Sequence, residues 1–462
     1  MLLLVAFVGW IIVRYSQPYL SGERDERQYV RWLMATLAAV SLVVIANHLL
    51  VLVFAWSATS LALHRLLTFF SDRPAAVVTA HKKFIVGRAA DLCMLVAAAL
   101  LFHAFDTMQI DQINLQATAV AQLPGGAQAA VVLLACAALL KCAQLPFHGW
   151  LIQVMEAPTP VSALLHAGVV NLGGFVLIRF APLIAEVPAA QVLLVAAGTT
   201  TAVLAAMVMT TRISIKVMLA WSTCAQMGFM LMQCGLGAWD MALLHLVAHS
   251  LYKAHAFLAA GGTVRRASIA QLAAPAALPG SLGLALGAVL GIGMTLLAGA
   301  AWRWLVPAQA APPAIWVLAA IVALAVVPLL HAQSLRLRMP WLAALCLGSF
   351  AVPFAYFGLH ALFGTWVAPS AAAAPAPLWI AVALAFTALF LVQSLITAAP
   401  HGSVARGLYP WFYGGLFIDE KFNRIAFGLW PPPRPAAAAA SVLPAHDPVD
   451  LDTRHAAPGA RP

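Results

Sequence analysis

Six side chains in this sequence can gain and lose a proton while lying in or beside otherwise apolar runs. Lys141 follows VVLLACAALL and is followed by a break at Gln144-Leu145-Pro146. His166 lies in a second apolar run, after Thr159-Pro160, and Lys216 begins a third, in TRISIKVMLAWSTCAQMGF. His245, His249 and Lys253 recur at a spacing of four and four in HLVAHSLYK. On a helix that spacing puts all three on one face. Charge at bilayer depth costs roughly 2.5–3.5 kcal/mol on insertion scales, so residues kept there mark ion handling. A desolvated lysine can cycle between charged and neutral forms. Imidazoles can pass a proton onward through one or two waters.

Each residue also has a plain reading. Lys141 could snorkel to an interface, but its position inside the run beside a helix break favours proton binding. One membrane histidine alone is more often a structural hydrogen bonder. Three titratable groups on one stripe favour a relay. His255 falls off that stripe and reads as structural. Lys216, at face value, is an interface anchor. Among charge partners, Glu156 in MEAPTP could pair with Lys141 or cap the following helix. Arg88 and Asp91, three apart on one face, are expected to pair with each other. Arg179 and Asp240 read as interface residues.

The elements that position these groups follow from composition. The chain has 462 residues, 63% hydrophobic and 9% charged, where soluble domains carry about a quarter charged. Many runs approach the roughly 20 apolar residues that cross a bilayer. With no long alternating strands, this is an all-α polytopic membrane protein. About thirteen spans are expected, near 1–14, 29–46, 48–70, 84–105, 128–146, 159–181, 190–210, 214–235, 239–262, 280–304, 314–332, 341–364 and 378–398. The opening MLLLVAFVGWIIVRY lacks a basic start and a small-residue cleavage site, so it reads as a first span. Basic residues gather after odd spans (Arg14, Arg24, Arg27 and Arg31; Arg73, Lys82 and Lys83; Arg212 and Lys216; Arg265 and Arg266; Arg336 and Arg338; Arg406). That places the N-terminus outside and the C-terminus in the cytoplasm.

Other classes fall away. The net charge of +10 is scattered through short loops and does not point to nucleic acid. The six cysteines form no CxxC and no Cys/His zinc spacing, so neither a metal site nor a disulfide framework is indicated. No nucleotide-binding, haem or iron–sulfur pattern occurs, which leaves an ion gradient or a partner to supply energy. After the membrane domain (1–398), residues 399–430 are aromatic-rich and suit an interfacial or partner-docking segment. Its candidate contacts are Tyr409, Trp411, Phe417, Asp419, Glu420 and Phe422. Residues 431–462 are Pro/Ala-rich and expected to be disordered.

Three stretches carry a resemblance: KCAQLPFHGWL with MEAPTPVSALLHA, SIKVMLAWSTCAQMGFM, and HLVAHSLYKAHAFLAAGG. They resemble the antiporter-like subunits of respiratory complex I and of Mrp-type cation/proton antiporters, over most of residues 1–265. The resemblance implies inverted five-helix repeats (core about 29–265) with a helix broken near Lys141–Pro146. It implies Lys141 as the broken-helix lysine, His166 as a bridge, Lys216 as part of the inter-helix wire, and His245, His249 and Lys253 as the central relay. Two departures stand out. The family's glutamate after the early Trp is Ser57 here, in LVFAWSATSLALHRLLTF. The segment near 280–304, where a second broken helix with its own base is expected, has no ionisable group in PGSLGLALGAVLGIGMTLLAGAAW. The chain also begins about two helices later than the family pattern.

AWSATSLALHRLLTFFSDRPAAVVTAHKKF and GLFIDEKFNRIAFGLWP resemble one branch, the DabB membrane subunits of inorganic-carbon accumulation systems. That branch implies a subunit of the bacterial inner membrane that passes H+ (or Na+) and is not itself an enzyme. Its gradient would drive CO2 hydration to bicarbonate in a cytoplasmic partner, DabA, a zinc protein like a β-carbonic anhydrase. Zinc would belong to the partner, and no cofactor is expected in this chain. The alternatives are a proton- or sodium-translocating subunit of complex I or an Mrp antiporter, and a non-conducting membrane anchor.

Overall fold

The computed structural model describes residues 1–23, 25–70, 72–263, 281–306, 313–334, 339–367 and 374–432. The expected disordered tail beyond 432, and the loop residues Arg24, Arg265, Arg266, Arg336 and Arg338, lie outside the described residues. Among those described, the chain is helical and the only strand-like pairing is a single bridge between His48 and Gln109.

The helices are α1 (Leu2–Tyr19), α2 (Glu26–Ile45), α3 (Leu49–Leu67), α4 (Pro74–Phe105), α5 (Ile110–Ala119), α6 (Gly125–Lys141), α7 (Gly149–Ile152), α8 (Thr159–Ala167), α9 (Leu172–Arg179) and α10 (Ala181–Ala185). Then follow α11 (Pro188–Met209), α12 (Ile215–Gly235), α13 (Trp239–Leu258), α14 (Ser281–Leu305), α15 (Pro313–Ser334), α16 (Met339–Gly364), α17 (Ala376–Ala398), α18 (Ser403–Tyr413) and α19 (Ile418–Leu429). Every expected span overlaps helical residues, though not always a single unbroken helix. Ten spans among the described residues are long and apolar enough to cross a membrane, and Gly125–Lys141 and Ala314–Ala325 are shorter apolar helices. The count of thirteen is therefore not reached by that measure. Helix α13 stays outside the ten, because its histidines and Lys253 dilute an otherwise apolar 20-residue helix.

One continuous apolar core joins α1 to α13, and a smaller cluster links the ends of α11, α12 and α13 to α15, α16 and α17. Helices α11 and α12 meet backbone to backbone. A Cβ on Gly198 would come within 2.6 Å of the Gly228 carbonyl oxygen, and the reverse holds at 2.6 Å. Small residues at such crossings let membrane helices approach closely.

Three expectations are corrected. Helix α4 starts at Pro74, a residue suited to the first helical turn, so Lys82 and Lys83 are helical and buried, not loop residues. The span expected over 159–181 is interrupted: α8 stops at Ala167 and a 3₁₀ turn at Val169–Asn171 precedes α9. No break interrupts α14, which runs 25 residues where a second broken helix was expected.

Candidate functional site: buried amines and imidazoles

Helix α6 ends at Lys141, with Cys142 capping it. The N–H of Ala143 donates to Leu140 O at 3.4 Å and that of Gln144 to Leu139 O at 3.2 Å. Ala143 is in the left-handed region at φ 51°. This pair of bonds closes a helix end, and the Leu145–Pro146 peptide beyond it is cis. Lys141 thus occupies the last turn, where the negative end of the helix dipole favours an ammonium.

The Lys141 side chain is 6% exposed and points into α3. Its Nζ donates to Trp56 O at 3.0 Å, Thr59 Oγ1 at 3.0 Å and Ser60 Oγ at 2.9 Å. An ammonium has three hydrogens to place, and three oxygens receive them. Nζ also lies 4.3 Å from the Trp56 ring centroid. Ser57, in place of the family's glutamate, belongs to this same stretch of α3.

Arg88 and Asp91 pair at 2.5 Å on α4, and Asp91 is close enough to Lys141, Lys83 and Ser57 to interact with each. Lys83, buried on the same helix, donates to Ser60 O at 2.5 Å. Sequence reasoning placed Lys83 in a loop. The available signal was Lys83, Gly87 and Asp91 at successive spacings of four, one face of a helix. Glu156 does not meet Lys141. It pairs with Arg73 at 3.2 Å, both side chains well exposed, because the turn at Val154–Glu156 lies at the surface end of α4. Arg179 donates to Ala46 O and Asn47 Oδ1, and Asp240 pairs with His360.

The second group is built on α8, α12 and α13. Lys253 is fully buried, and its Nζ donates to Leu219 O at 3.1 Å and Ser222 Oγ at 2.8 Å. Two oxygens therefore serve its three hydrogens. His245 Nδ1 meets Gln233 Oε1 at 3.0 Å, and the His245 and His249 rings are 6.0 Å apart. His166, in the last turn of α8, stacks on Phe257 at 4.3 Å. Both nitrogens of His166 and of His249, and Nε2 of His245, are buried without a partner among the described residues. Buried side-chain polar atoms ordinarily have a hydrogen-bond partner, protein or water, so these ring nitrogens are places for bound water. Lys253, His166 and His249 lie close enough to act on one another electrostatically. The break between α8 and α9 serves the same place, since Asn171 donates to Ser250 Oγ at 2.8 Å on α13. Lys216 stands at the edge, half-buried, donating to Thr159 Oγ1 at 2.9 Å, with Tyr19 OH 3.4 Å beyond. His255 is exposed. Among the described residues, no direct side-chain hydrogen bond joins the Lys141 group to the Lys253 group.

The C-terminal helices fold back over the break. Arg212 donates to Phe412 O at 2.8 Å, and His81 Nε2 lies 2.9 Å from Trp430 O. Between these ends, Asp419 accepts from Lys82 at 2.8 Å and from Gln153 at 2.9 Å. Its carboxylate lies on Gly149, where a Cβ would collide with it. Phe422 packs edge-on to Phe147 at 5.8 Å. This divides the expected docking set. Asp419 and Phe422 face the chain's own core, because buried Lys82 needs a counter-charge, while Tyr409, Trp411, Phe417 and Glu420 remain exposed. Next to this contact, His148 is buried, and burial pushes its imidazole down to about 4 against the opposing pull of Asp419.

Known proteins share this architecture. A family profile described as NADH:quinone oxidoreductase/Mrp antiporter, TM, matches residues 46–300. The probable inorganic carbon transporter subunit DabB of Hydrogenovibrio crunogenus is 57% identical over 265 residues, 57% of this chain and 51% of that protein. The probable inorganic carbon transporter subunit DabB2 of Halothiobacillus neapolitanus is 38% identical over 441 residues, 93% of this chain and 78% of that protein. This chain thus spans about half the length of the first relative and most of the second. The structure of the Mrp complex from Dietzia sp. DQ12-45-1b aligns with TM-score 0.53 and 26% identity, covering 96% of this chain and 49% of the matched chain. An antiporter-like helical bundle, a family profile over more than half the sequence and a relative matched over 93% of this chain agree: the chain belongs to the NADH:quinone oxidoreductase/Mrp antiporter family of membrane subunits, with DabB proteins among its relatives.

Proposed function

We propose that this chain is the cation-translocating membrane subunit of an inorganic carbon transporter, and that the cation is H+. Lys141 and Lys253 bind and release the proton, and His166, His249 and His245 carry it between and beyond them, with water filling the gaps. Lys216 joins the route at its edge. The observation that carries the reading is the placement of two buried lysines, each bonded, among the described residues, only to neutral oxygens. Buried amines without a carboxylate of their own are poor packing elements and good proton carriers.

On this reading the DabB relatives supply the wider role. The gradient drives CO2 hydration in a zinc-bearing DabA-like partner on the cytoplasmic side, at the inner membrane. The partner docks on the exposed Tyr409, Trp411, Phe417 and Glu420 of the C-terminal helices, with the N-terminus outside.

The test is co-purification of the chain with its native partner and reconstitution into vesicles with a pH-sensitive dye inside. Proton movement that depends on CO2, and that stops in Lys141→Ala and Lys253→Ala, is the expected result. Proton movement indifferent to CO2 would favour a respiratory or Mrp-type subunit, and none above background would favour an anchor.

A further inference from the structure

Lys83 is a buried cation with no part in the reading above. It is 5% exposed, and its Nζ donates to the backbone carbonyl of Ser60 at 2.5 Å. The hydroxyl of that same serine accepts from Lys141 at 2.9 Å. Two lysines, from α4 and α6, therefore converge on one residue of α3. Gly87, one turn after Lys83, leaves the way open: the nearest atom to a Cβ there is Ser60 Oγ, at 3.6 Å.

The charges facing this pair are few. Arg88 and Asp91 come from α4 and pair with each other. His64 lies one turn along α3 from Ser60, within electrostatic reach of Lys83. Cys142 adjoins Lys141 and is buried, its thiol donating to Val170 O at 3.0 Å. The family's glutamate is absent at Ser57. Among the described residues, one carboxylate, Asp91, thus faces three cationic side chains, and Arg88 already pairs with it. Two ammonium ions held together here would both lack a counter-charge, an arrangement that low-dielectric surroundings penalise heavily.

Resting on the proton-carrying reading of Lys141, we propose that Lys83 is a second proton carrier of the same station, and that the two amines hold one proton between them. The step is a simple exchange. Lys83–NH3+ loses a proton and becomes –NH2, while Lys141–NH2 gains one and becomes –NH3+. Net charge is unchanged, and Arg88–Asp91 stays neutral throughout. The Ser60 hydroxyl, already bonded to Lys141, is the exchangeable group nearest the path.

The experiment uses the whole complex in vesicles and compares Lys83→Gln, Lys83→Arg and Lys141→Ala across a pH series. Both Lys83 variants keep a donor for the Ser60 carbonyl, so a purely structural lysine would tolerate one or the other. Gln cannot carry a proton, and Arg cannot give one up. The expected result is a roughly hundredfold loss of proton movement in both, the scale of one positioned acid–base group. What remains in Lys83→Gln should persist to higher pH, since Lys141 no longer shares its proton. Proton movement at the unaltered rate and pH profile in either Lys83 variant, with Lys141→Ala inactive, would overturn the second-carrier assignment alone. Normal movement in Lys141→Ala as well would overturn the proton-carrying reading with it.

Discussion

Lys141 and Lys253 are the same residue in two different settings. Lys141 ends a helix, places all three ammonium hydrogens on oxygens of α3, and shares its surroundings with Lys83 and the Arg88–Asp91 pair. Lys253 sits within a continuous helix, places two hydrogens, and has as neighbours the His166 and His249 rings, which have no hydrogen-bond partner among the described residues. The first station is saturated and set among charges. The second has two acceptors among the described residues and is set among imidazoles. Each hydrogen bond to an ammonium favours its charged form, so more acceptors hold the proton more firmly. On the proton route proposed above, holding falls to the Lys141 end and hand-on to the Lys253 end.

The largest effect is expected at the lysines themselves. Lys141→Ala or Lys253→Ala should abolish growth that depends on carbon accumulation at ambient CO2, and normal growth with both changes would break the comparison outright. Next is the brace over the first station. Asp419→Ala leaves Lys82 buried with only Gln153 Oε1, and removing one partner of a buried pair costs about 3–5 kcal/mol. A clear drop in the melting temperature of the detergent-purified protein is the outcome to look for.

His148, under the same brace, adds a pH term. Its imidazole is held down to about 4 when folded, against an ordinary value of 6.5. The unfolded chain then binds the extra proton, so stability falls as pH drops from 6.5 towards 4. The contribution at stake is about 3 kcal/mol, and His148→Gln should flatten the melting temperature over that window relative to the unaltered protein. The smallest effects sharpen the contrast. Ser222→Ala removes one of two acceptors from Lys253, whereas Thr59→Ala removes one of three from Lys141. Each bond is worth about 1 kcal/mol, and the Ser222 change should slow proton movement more.

Much of this arrangement was legible in the sequence. Span positions followed from apolar run lengths, and the four-residue spacing of His245, His249 and Lys253 put them on one helix face, as found. The broken end at Lys141 was visible in Gln144-Leu145-Pro146. Three features were hidden, each for a physical reason. Lys82 and Lys83 look like loop charges because three polar residues, His81 among them, run together; only Pro74 marks the true helix start. The break after His166 lies in Gly168–Asn171, which is too apolar to interrupt a hydropathy pattern. Glu156 and Asp419 were misdirected because their partners, Arg73 and Lys82, are 83 and 337 residues away, distances across which spacing carries no information.

The central claim is that Lys141 and Lys253 act in series on one proton. The direct measurement is the rate of proton entry into vesicles bearing the whole complex, for Lys141→Ala, Lys253→Ala and the double change. In a serial route the double variant is no slower than the slower single one, and all three lie near background. A substantial rate in either single variant, with a further loss in the double, would mean two independent routes and contradict the account.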